Sequence, residues 1–210
     1  MTRSNYSHGT EVDAMYPFLS EVAEIRRRAR RRIEELDSPG EASPQQVLAL
    51  LNEALATGLV CASRYQNHLA LAASALAEPL RGGLQRHARE EQGHAEQLAE
   101  RILELGGQPV LAPETVAQAT ASAHDELDAE AIVDLLEEDL IAERVAIDSY
   151  REIVQIVGER DPRTRALLEA ILSLEVAHAH VLSSMRSEML RQDRLISSSV
   201  SLPRPDIQCA

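Results

Sequence analysis

Two short motifs of the form Glu-x-x-His give the clearest chemical signal in this sequence. They run from Glu91 to His94 and from Glu175 to His178. Residues three apart in a helix project to the same side, so each carboxylate and imidazole pair can reach one metal ion. One such motif is a weak signal. Two matched motifs are typical of a carboxylate-bridged dinuclear iron or manganese site inside a helical bundle.

Both motifs lie on helical stripes, with steps of three and four, whose other members are mostly apolar. A third glutamate, Glu143, interrupts a further stripe. Buried carboxylates cost several kcal/mol each unless they are paired or metal-bound. The chain has no Lys, and only Arg101 lies near a stripe, so we expect metal ions to supply the positive charge. The four stripes are Leu48, Leu51, Leu55, Gly58, Ala62, Tyr65, Leu69 and Ala72; Leu84, His87, Glu91, His94 and Leu98; Leu136, Leu140, Glu143, Ile147, Tyr150, Val154 and Val157; and Leu168, Ile171, Glu175, His178, Leu182, Met185 and Met189.

Four long helices must position these residues. Capping and breaking residues predict them over 43–77, 82–106, 129–157 and 161–192. A crossover of about 20 residues separates the second from the third, with a short helix expected over 113–123. A long middle connection lets the second and third helices run parallel. The predicted fold is therefore an all-α, ferritin-like four-helix bundle.

The rest of the chain is assigned to flanking segments. We expect residues 1–42 to be a partly helical N-terminal extension, 43–192 the bundle, and 193–210 a mobile tail. The Arg-rich run at 26–32 either contacts an anionic partner or pairs with nearby glutamates. The second interpretation is favoured because residues 1–50 carry no net positive charge. The glutamates are Glu21, Glu24, Glu34 and Glu35.

Composition narrows the class of protein further. Among 210 residues only 2% are aromatic, which argues against a β-sandwich, and the net charge of −13 disfavours nucleic-acid binding. Two distant cysteines, Cys61 and Cys209, favour a reducing cytoplasm. No uninterrupted apolar run approaches 18 residues and the N-terminus has no apolar core, so we expect neither a membrane span nor a signal peptide.

The two halves of the bundle resemble each other. Alignment of position 58 with Glu143 also matches Tyr65 with Tyr150, and alignment of Glu91 with Glu175 matches the two motif histidines. By this pseudo-twofold relation, position 58 should hold a glutamate, yet it holds Gly58. Glycine costs a helix interior about 1 kcal/mol relative to alanine. One carboxylate of a symmetric two-metal site is therefore missing.

Residues 46–190 resemble the bacterioferritin and Dps-like branch of the ferritin superfamily. That family binds two irons within one subunit, oxidises ferrous iron with oxygen or peroxide, and stores ferric mineral in hollow cages. The resemblance implies an iron cofactor site, and manganese or zinc fits the same donors. The stretches that carry it are LLNEALATGLVCASRYQNH, HAREEQGHAEQLAERILELGGQP, DLIAERVAIDSY and LLEAILSLEVAHAHVL.

The resemblance implies a role for each site residue. Glu91 and Glu175 would bridge the metals, Glu143 and His178 would hold one metal, and His94 would hold the other. The remaining terminal glutamate maps onto Gly58. The family's haem-binding methionine maps onto Gln92, so no haem is expected by that route. Without a clear fifth helix, a homo-oligomeric cage of 12 subunits is expected rather than 24.

Other side chains receive lesser roles. Tyr65 and Tyr150 either pack in the core or, as favoured here, donate hydrogen bonds to metal-binding carboxylates. His87 is a candidate for a residue that contacts the metal ligands without binding the metal. Cys61 is a less favoured candidate for a sulfur ligand. We expect no metal role for the remaining internal histidines, His68, His124 and His180.

Three functions remain open from the sequence. The first is a ferroxidase-type enzyme weakened at Gly58, with ferrous iron and oxygen or peroxide as substrates. The second is a catalytically weak or inactive subunit that forms or joins a cage, including co-assembly with a related subunit. The third is a Dps-like DNA-protecting protein that uses the Arg-rich run.

Overall fold

The computed structural model of the chain describes residues 17–34, 42–71, 78–111 and 128–200. All regular structure in these ranges is α-helical, as predicted. The helices are α1 (Pro17–Glu34), α2 (Pro44–Leu71), α3 (Glu78–Glu104), α4 (Ala129–Val157) and α5 (Pro162–Val200).

Side-chain caps define the starts of two helices where they were predicted. At α2, the Gln46 backbone N–H donates to the Ser43 hydroxyl at 3.3 Å, and the Gln46 side chain accepts from the Ser43 N–H at 2.8 Å. At α5, the Thr164 N–H donates to the Asp161 carboxylate at 3.0 Å. These bonds satisfy backbone donors that have no partner within the helix.

The predicted start of α3 and the predicted end of α5 were wrong. The helix α3 begins at Glu78, so Gly82 and its neighbour lie inside the helix instead of opening it. Pro79 then occupies the first turn, where its missing N–H costs nothing. The helix α5 continues to Val200, beyond the predicted end at Gln192, because no Pro or Gly interrupts it there. The short helix expected over 113–123 lies outside the described residues.

The packing of the helix ends establishes the direction of each helix. A first core cluster joins the start of α2 and of α5 to the end of α3 and of α4, and a second cluster joins the opposite ends. Thus α3 and α4 run parallel, as predicted. Representative members are Leu51, Ile102, Ile153 and Leu168 in the first cluster, and Tyr65, Leu84, Leu136 and Leu182 in the second.

The helix α1 lies across α2 and α4. Its buried residues Val22 and Ile25 pack against Val60 and Ala142. Its arginines pair with acids, as favoured, but most partners are on the neighbouring helices and not on α1. These pairs are Arg28 and Arg32 with Glu53 at 3.1 and 3.0 Å, Arg26 with Asp148 at 3.3 Å, and Arg30 with Glu152 at 3.2 Å; Glu24 binds Arg27 and Arg31.

We expect Ile25→Asp to release α1 from the bundle without unfolding it. Ile25 is only 2% exposed, and burial of an unpaired carboxylate there would cost several kcal/mol. Trypsin should then cleave within 26–32 at least tenfold faster, while circular dichroism retains most of the helix. Ile25→Val is the matched control and should remain resistant. Equal cleavage of the two variants would show that this contact does not hold α1.

Two helices are long and apolar enough to cross a membrane by length and composition alone, Pro44–Leu71 and Pro162–Gln192. The expectation of no membrane span concerned uninterrupted apolar runs, which this criterion does not require, so it stays a prediction. Core helices of water-soluble proteins meet the same criterion. In Pro44–Leu71, 61% of the apolar window is buried, and Pro162–Gln192 carries the buried Glu175 and His178 into the bundle.

Candidate metal centre

Three helices bring the predicted ligands to the middle of the bundle. The helix α3 contributes Glu91 and His94, α4 contributes Glu143, and α5 contributes Glu175 and His178. Each of these side chains belongs to a residue that is 3% exposed or less. The spacing of each motif works as expected, since both of its residues face the same interior region.

Four of these residues form one compact group. Glu91, Glu143, Glu175 and His178 each offer a ligand atom, and these atoms lie within 4.8 Å of one another. The Nδ1 atom of His178 lies 3.3 Å from Glu91, 3.6 Å from Glu143 and 3.7 Å from Glu175. The group thus offers three carboxylates and one imidazole around a single point.

His94 stands beside this group and is not a member of it. Its Nδ1 atom lies 3.1 Å from Glu175 and 3.6 Å from Glu91. It therefore contacts the two glutamates that the resemblance assigns as bridges. The compact group thus has four residues, and His94 lies against two of its carboxylates from outside.

The electrostatics of the centre reflect three carboxylates crowded out of water. Burial, followed by the charge of Glu175, raises the pKa of Glu143 to about 8. Burial alone would lower the pKa of His178, but Glu143, Glu175 and Glu91 outweigh it and raise the pKa to about 12. In the same way Glu175 and Glu91 raise the pKa of His94 to about 9. Protons on Glu143, His94 and His178 therefore offset the negative charge that bound metal ions would otherwise offset.

The donors fit a divalent metal ion. Within the described ranges, one oxygen of each of Glu91, Glu143 and Glu175 is buried without a hydrogen-bond partner. Buried polar atoms are almost always satisfied, so such orphans indicate a missing partner. Carboxylate oxygen and imidazole nitrogen suit iron, manganese and zinc.

Gly58 lies on the buried face of α2, against α3. A Cβ atom there would lie 3.6 Å from the backbone oxygen of Glu91 and 3.7 Å from the Cβ of Ala95. Both are ordinary van der Waals distances. The position therefore accepts a side chain at its first atom, and it faces the segment that carries the α3 ligands.

The two tyrosines differ in their contacts. The Tyr65 hydroxyl donates a hydrogen bond to Glu143, as favoured from the sequence. The equivalent bond is absent at Tyr150, whose hydroxyl is buried and has no hydrogen-bond partner among the described residues. The pseudo-twofold relation explains the difference, because the carboxylate equivalent to Glu143 would stand at position 58. With Gly58 at that position, no carboxylate of α2 stands where the Tyr150 hydroxyl would find an equivalent acceptor.

The asymmetry extends to the surroundings of the two histidines. His178 stacks on His87 with ring centroids 4.2 Å apart, and its Nε2 lies 2.9 Å from Glu90. The positions equivalent to His87 and Glu90 around His94 are Ile171 and Leu174. Burial and the charge of His178 lower the pKa of His87 to about 3, so this ring is neutral. His87 was expected beside the predicted ligands, whereas Glu90 was not singled out from the sequence.

A second buried group, at the α2–α4 contact, was also overlooked. Arg64 lies 2.8 Å from Asp139, and His68 lies 3.1 Å from Asp139 and 3.3 Å from Glu138. A signal was available, since Arg64 and His68 are one turn apart on α2 and two adjacent acids occupy α4. His68 thus pairs with acids of α4, and its expected lack of a metal role stays a prediction. His180 is exposed, and His124 lies outside the described residues.

Two further assignments from the sequence can be located. Cys61 is buried, and burial together with the nearby Glu91 raises the pKa of its thiol well above the usual value. It is not a member of the compact ligand group. Gln92 lies on the exposed side of α3, where its amide donates to Glu96 at 3.2 Å. The prediction that this position does not hold haem stays a prediction.

We expect His68 to stabilise the protein more at pH 6 than at pH 9. Burial lowers its pKa, but Asp139 and Glu138 outweigh burial and the opposing charge of Arg64, so the folded pKa lies above 6.5. The stabilisation is complete below the unfolded pKa and is lost as pH rises through the folded pKa. Urea unfolding of His68→Gln and the parent should give a difference in unfolding free energy that shrinks with pH. A constant difference would contradict the prediction.

Three solved structures resemble this chain. A dodecameric thioferritin, the bacterioferritin-related protein of Bacteroides fragilis, is 28% identical, with a TM-score of 0.63 over 74% of this chain and 92% of that one. The bacterioferritin of Desulfovibrio desulfuricans, described with its diiron site, is 25% identical, with a TM-score of 0.60 over 80% and 93%. The Rhodobacter capsulatus bacterioferritin, described with haem iron and a metal-free dinuclear site, shares the fold at 24% identity, with a TM-score of 0.60 over 78% and 98%.

Comparison at the family level covers most of the bundle. No curated protein matches the chain. The ferritin-like domain matches residues 48–191, which include every helix that lines the metal centre. With this match across more than half of its length, the chain belongs to the ferritin-like family.

Proposed function

We propose that the protein is a ferritin-like subunit that binds and oxidises ferrous iron and contributes to iron storage, with an intrasubunit centre that is complete for one metal and incomplete for the second. The compact group of Glu91, Glu143, Glu175 and His178, buried and within 4.8 Å, carries the proposal. Its buried, unpartnered carboxylate oxygens support the same interpretation.

Each residue of the centre has a proposed role. Glu91 and Glu175 bridge two metal positions, and Glu143 with His178 completes the first of them. The hydrogen bond from Tyr65 orients Glu143, which limits the rotation of that carboxylate. At the second position His94 stands without the terminal carboxylate, because the equivalent residue is Gly58.

The net charge of the centre is the reason that we expect the second position to bind metal weakly. Three carboxylates carry −3, which leaves −1 with one divalent ion and +1 with two. An excess positive charge in a buried site is costly, so the second ion needs water or an anion from solution. Each Fe²⁺ that is oxidised gives one electron to oxygen or peroxide, and a loosely held second iron would slow a two-electron reduction.

An assembled cage is part of the proposal. The related Bacteroides fragilis protein is described as dodecameric, which favours 12 subunits over 24. A catalytically inactive subunit that co-assembles with a related chain is the alternative favoured by Gly58. A DNA-protecting role has less support, because the Arg-rich run is paired with acids of α2 and α4, including Glu53 and Glu152.

Metal titration of the metal-free protein tests the proposal. We expect one tight ferrous or cobaltous ion per subunit and a second that binds at least tenfold more weakly. Ferrous oxidation, measured by absorbance under air and with peroxide, should be slow but above the rate without protein. Two equally tight ions would contradict the incomplete centre. One tight ion with no oxidation would assign the inactive co-assembling role instead.

A further inference from the structure

A second set of metal-ligand side chains lies on the outer side of His178. His87, Glu90 and His178 each offer a ligand atom, and these atoms lie within 4.8 Å of one another. Within this set, the Nε2 of His178 lies 2.9 Å from a carboxylate oxygen of Glu90. The nitrogen used here is the one that points away from Glu91 and Glu143.

His87 supplies an independent observation at the same place. The residue is 1% exposed, and its Nδ1 has no hydrogen-bond partner in the part of the chain that the structure describes. Its ring lies against that of His178, with the planes inclined by 22°. An imidazole nitrogen buried beside another imidazole and a carboxylate would remain costly without a bound partner.

The bundle itself does not require these side chains. Around His94, the equivalent positions are occupied by Ile171 and Leu174. One half therefore carries the buried Ile171 and the 44% exposed Leu174, while the other half carries an imidazole and a carboxylate. The difference lies at the histidine whose metal position is complete.

We propose that His87, Glu90 and the Nε2 atom of His178 form an additional binding site for a divalent transition-metal ion, distinct from the carboxylate group. Two imidazole nitrogens and one carboxylate oxygen suit Zn²⁺, Co²⁺ and Fe²⁺ better than Mg²⁺ or Ca²⁺. Water completes the coordination on the open side, where the Glu90 side chain is 35% exposed.

The two sites share one ring. A neutral imidazole offers a single lone pair, so His178 binds either through Nδ1 to the inner group or through Nε2 to the outer site. An ion at the outer site would hold the Nδ1 proton of His178 toward the inner carboxylates, with Glu91 at 3.3 Å. Binding at the two sites is therefore expected to be antagonistic.

The outer site also differs in access. The inner residues are 3% exposed or less, whereas Glu90 reaches solvent. An ion from solution can therefore contact Glu90 without displacing an inner side chain. The inference does not rest on the proposed function, since the three outer residues would bind an ion without Glu143 or Glu175.

Cobalt binding to a variant without the inner site tests the inference. In the full chain carrying Glu143→Gln and Glu175→Gln, we expect one Co²⁺ per subunit by equilibrium dialysis, with visible absorption bands. His87→Phe keeps an aromatic ring in place but removes both nitrogens, and in this background it should weaken Co²⁺ binding at least tenfold. Glu90→Gln should have a similar effect. Glu100→Gln, at an exposed position on the same helix, is the matched control.

The inference is overturned if the inner-site variant binds no Co²⁺, or if His87→Phe and Glu90→Gln leave its binding unchanged. Anomalous diffraction from Co²⁺-loaded crystals of the inner-site variant provides a second measurement, in which no inner ion competes for His178. A peak within coordination distance of His87 and Glu90 supports the site, and the absence of a peak there refutes it. Failure of the proposed iron function would instead appear as a parent chain without metal at the inner carboxylates.

Discussion

The substitution Gly58→Glu is expected to give a second tightly bound divalent ion per subunit and to raise the rate of ferrous oxidation about 10- to 100-fold. Loss of a group that only orients a metal ligand typically costs this much in affinity, and a direct ligand contributes at least as much. The added carboxylate changes the charge of a two-metal centre from +1 to neutral. Isothermal titration with Co²⁺ and stopped-flow absorbance of ferrous oxidation measure the two effects.

The structure provides both space and a partner for the new side chain. Its Cβ would make ordinary contacts of 3.6–3.7 Å with Glu91 and Ala95. Tyr150 is only 1% exposed, and its hydroxyl lacks a hydrogen-bond acceptor among the residues described. The hydroxyl can therefore donate a hydrogen bond to the new carboxylate. We therefore expect Tyr150→Phe to reduce the gain in the Gly58→Glu background but to change little in the parent.

Two matched variants separate charge from packing. Gly58→Gln has nearly the same shape as the glutamate variant without its charge, and it should not add a second tight ion. Gly58→Ala tests the first atom alone and should stabilise the helix by about 1 kcal/mol without a change in metal binding. If Gly58→Gln and Gly58→Glu bind metal equally, position 58 is not the missing ligand position.

Glu143→Gln is expected to weaken metal binding about 100-fold or more while leaving the metal-free protein almost as stable. Burial raises the pKa of Glu143 to about 8, so its carboxyl is largely protonated near neutral pH and resembles the amide in charge. The amide oxygen can still accept the hydrogen bond from Tyr65. The unfolding free energy without metal should therefore change by less than about 1 kcal/mol.

The stabilisation that bound metal adds to the folded protein should fall in the Glu143→Gln variant. At a metal concentration that saturates the parent, a 100-fold loss of affinity removes about 2.7 kcal/mol of stabilisation. Chemical denaturation with Co²⁺ and with a chelator measures the two free energies. The matched control is Glu100→Gln, which neutralises an exposed glutamate and should leave both unchanged. Equal stabilisation of Glu143→Gln and the parent by Co²⁺ would remove Glu143 from the set of ligands.

Local patterns in the chain were sufficient to predict the fold class and the composition of the centre. The stripes of period 3.6 define which face of each helix is buried, and spacing of three residues places Glu91 with His94 and Glu175 with His178. The internal repeat identified Gly58 as the odd position. These conclusions depend on geometry within one helix, which a sequence carries directly.

Contacts between helices needed the tertiary structure. The sequence did not indicate that α1 pairs its arginines with Glu53 and other acids of α2 and α4. It placed Tyr65 and Tyr150 in equivalent positions, yet within the described ranges Tyr65 has an acceptor and Tyr150 has none. Such contacts depend on how far each helix is rotated and shifted against its neighbours.

The surroundings of His178 show the same division. From the sequence, His87 was a stripe residue and Glu90 an ordinary neighbour of Glu91. The rotation of α3 against α5 brings both to the outer nitrogen of one histidine. The sequence by itself determined that a helical bundle buries Glu91, Glu143 and Glu175 together with the histidines of the two motifs. Only the tertiary structure decided that His178 lies against His87 and Glu90. Helix periodicity defines which face of a helix is buried, but not which residue of a neighbouring helix packs against it.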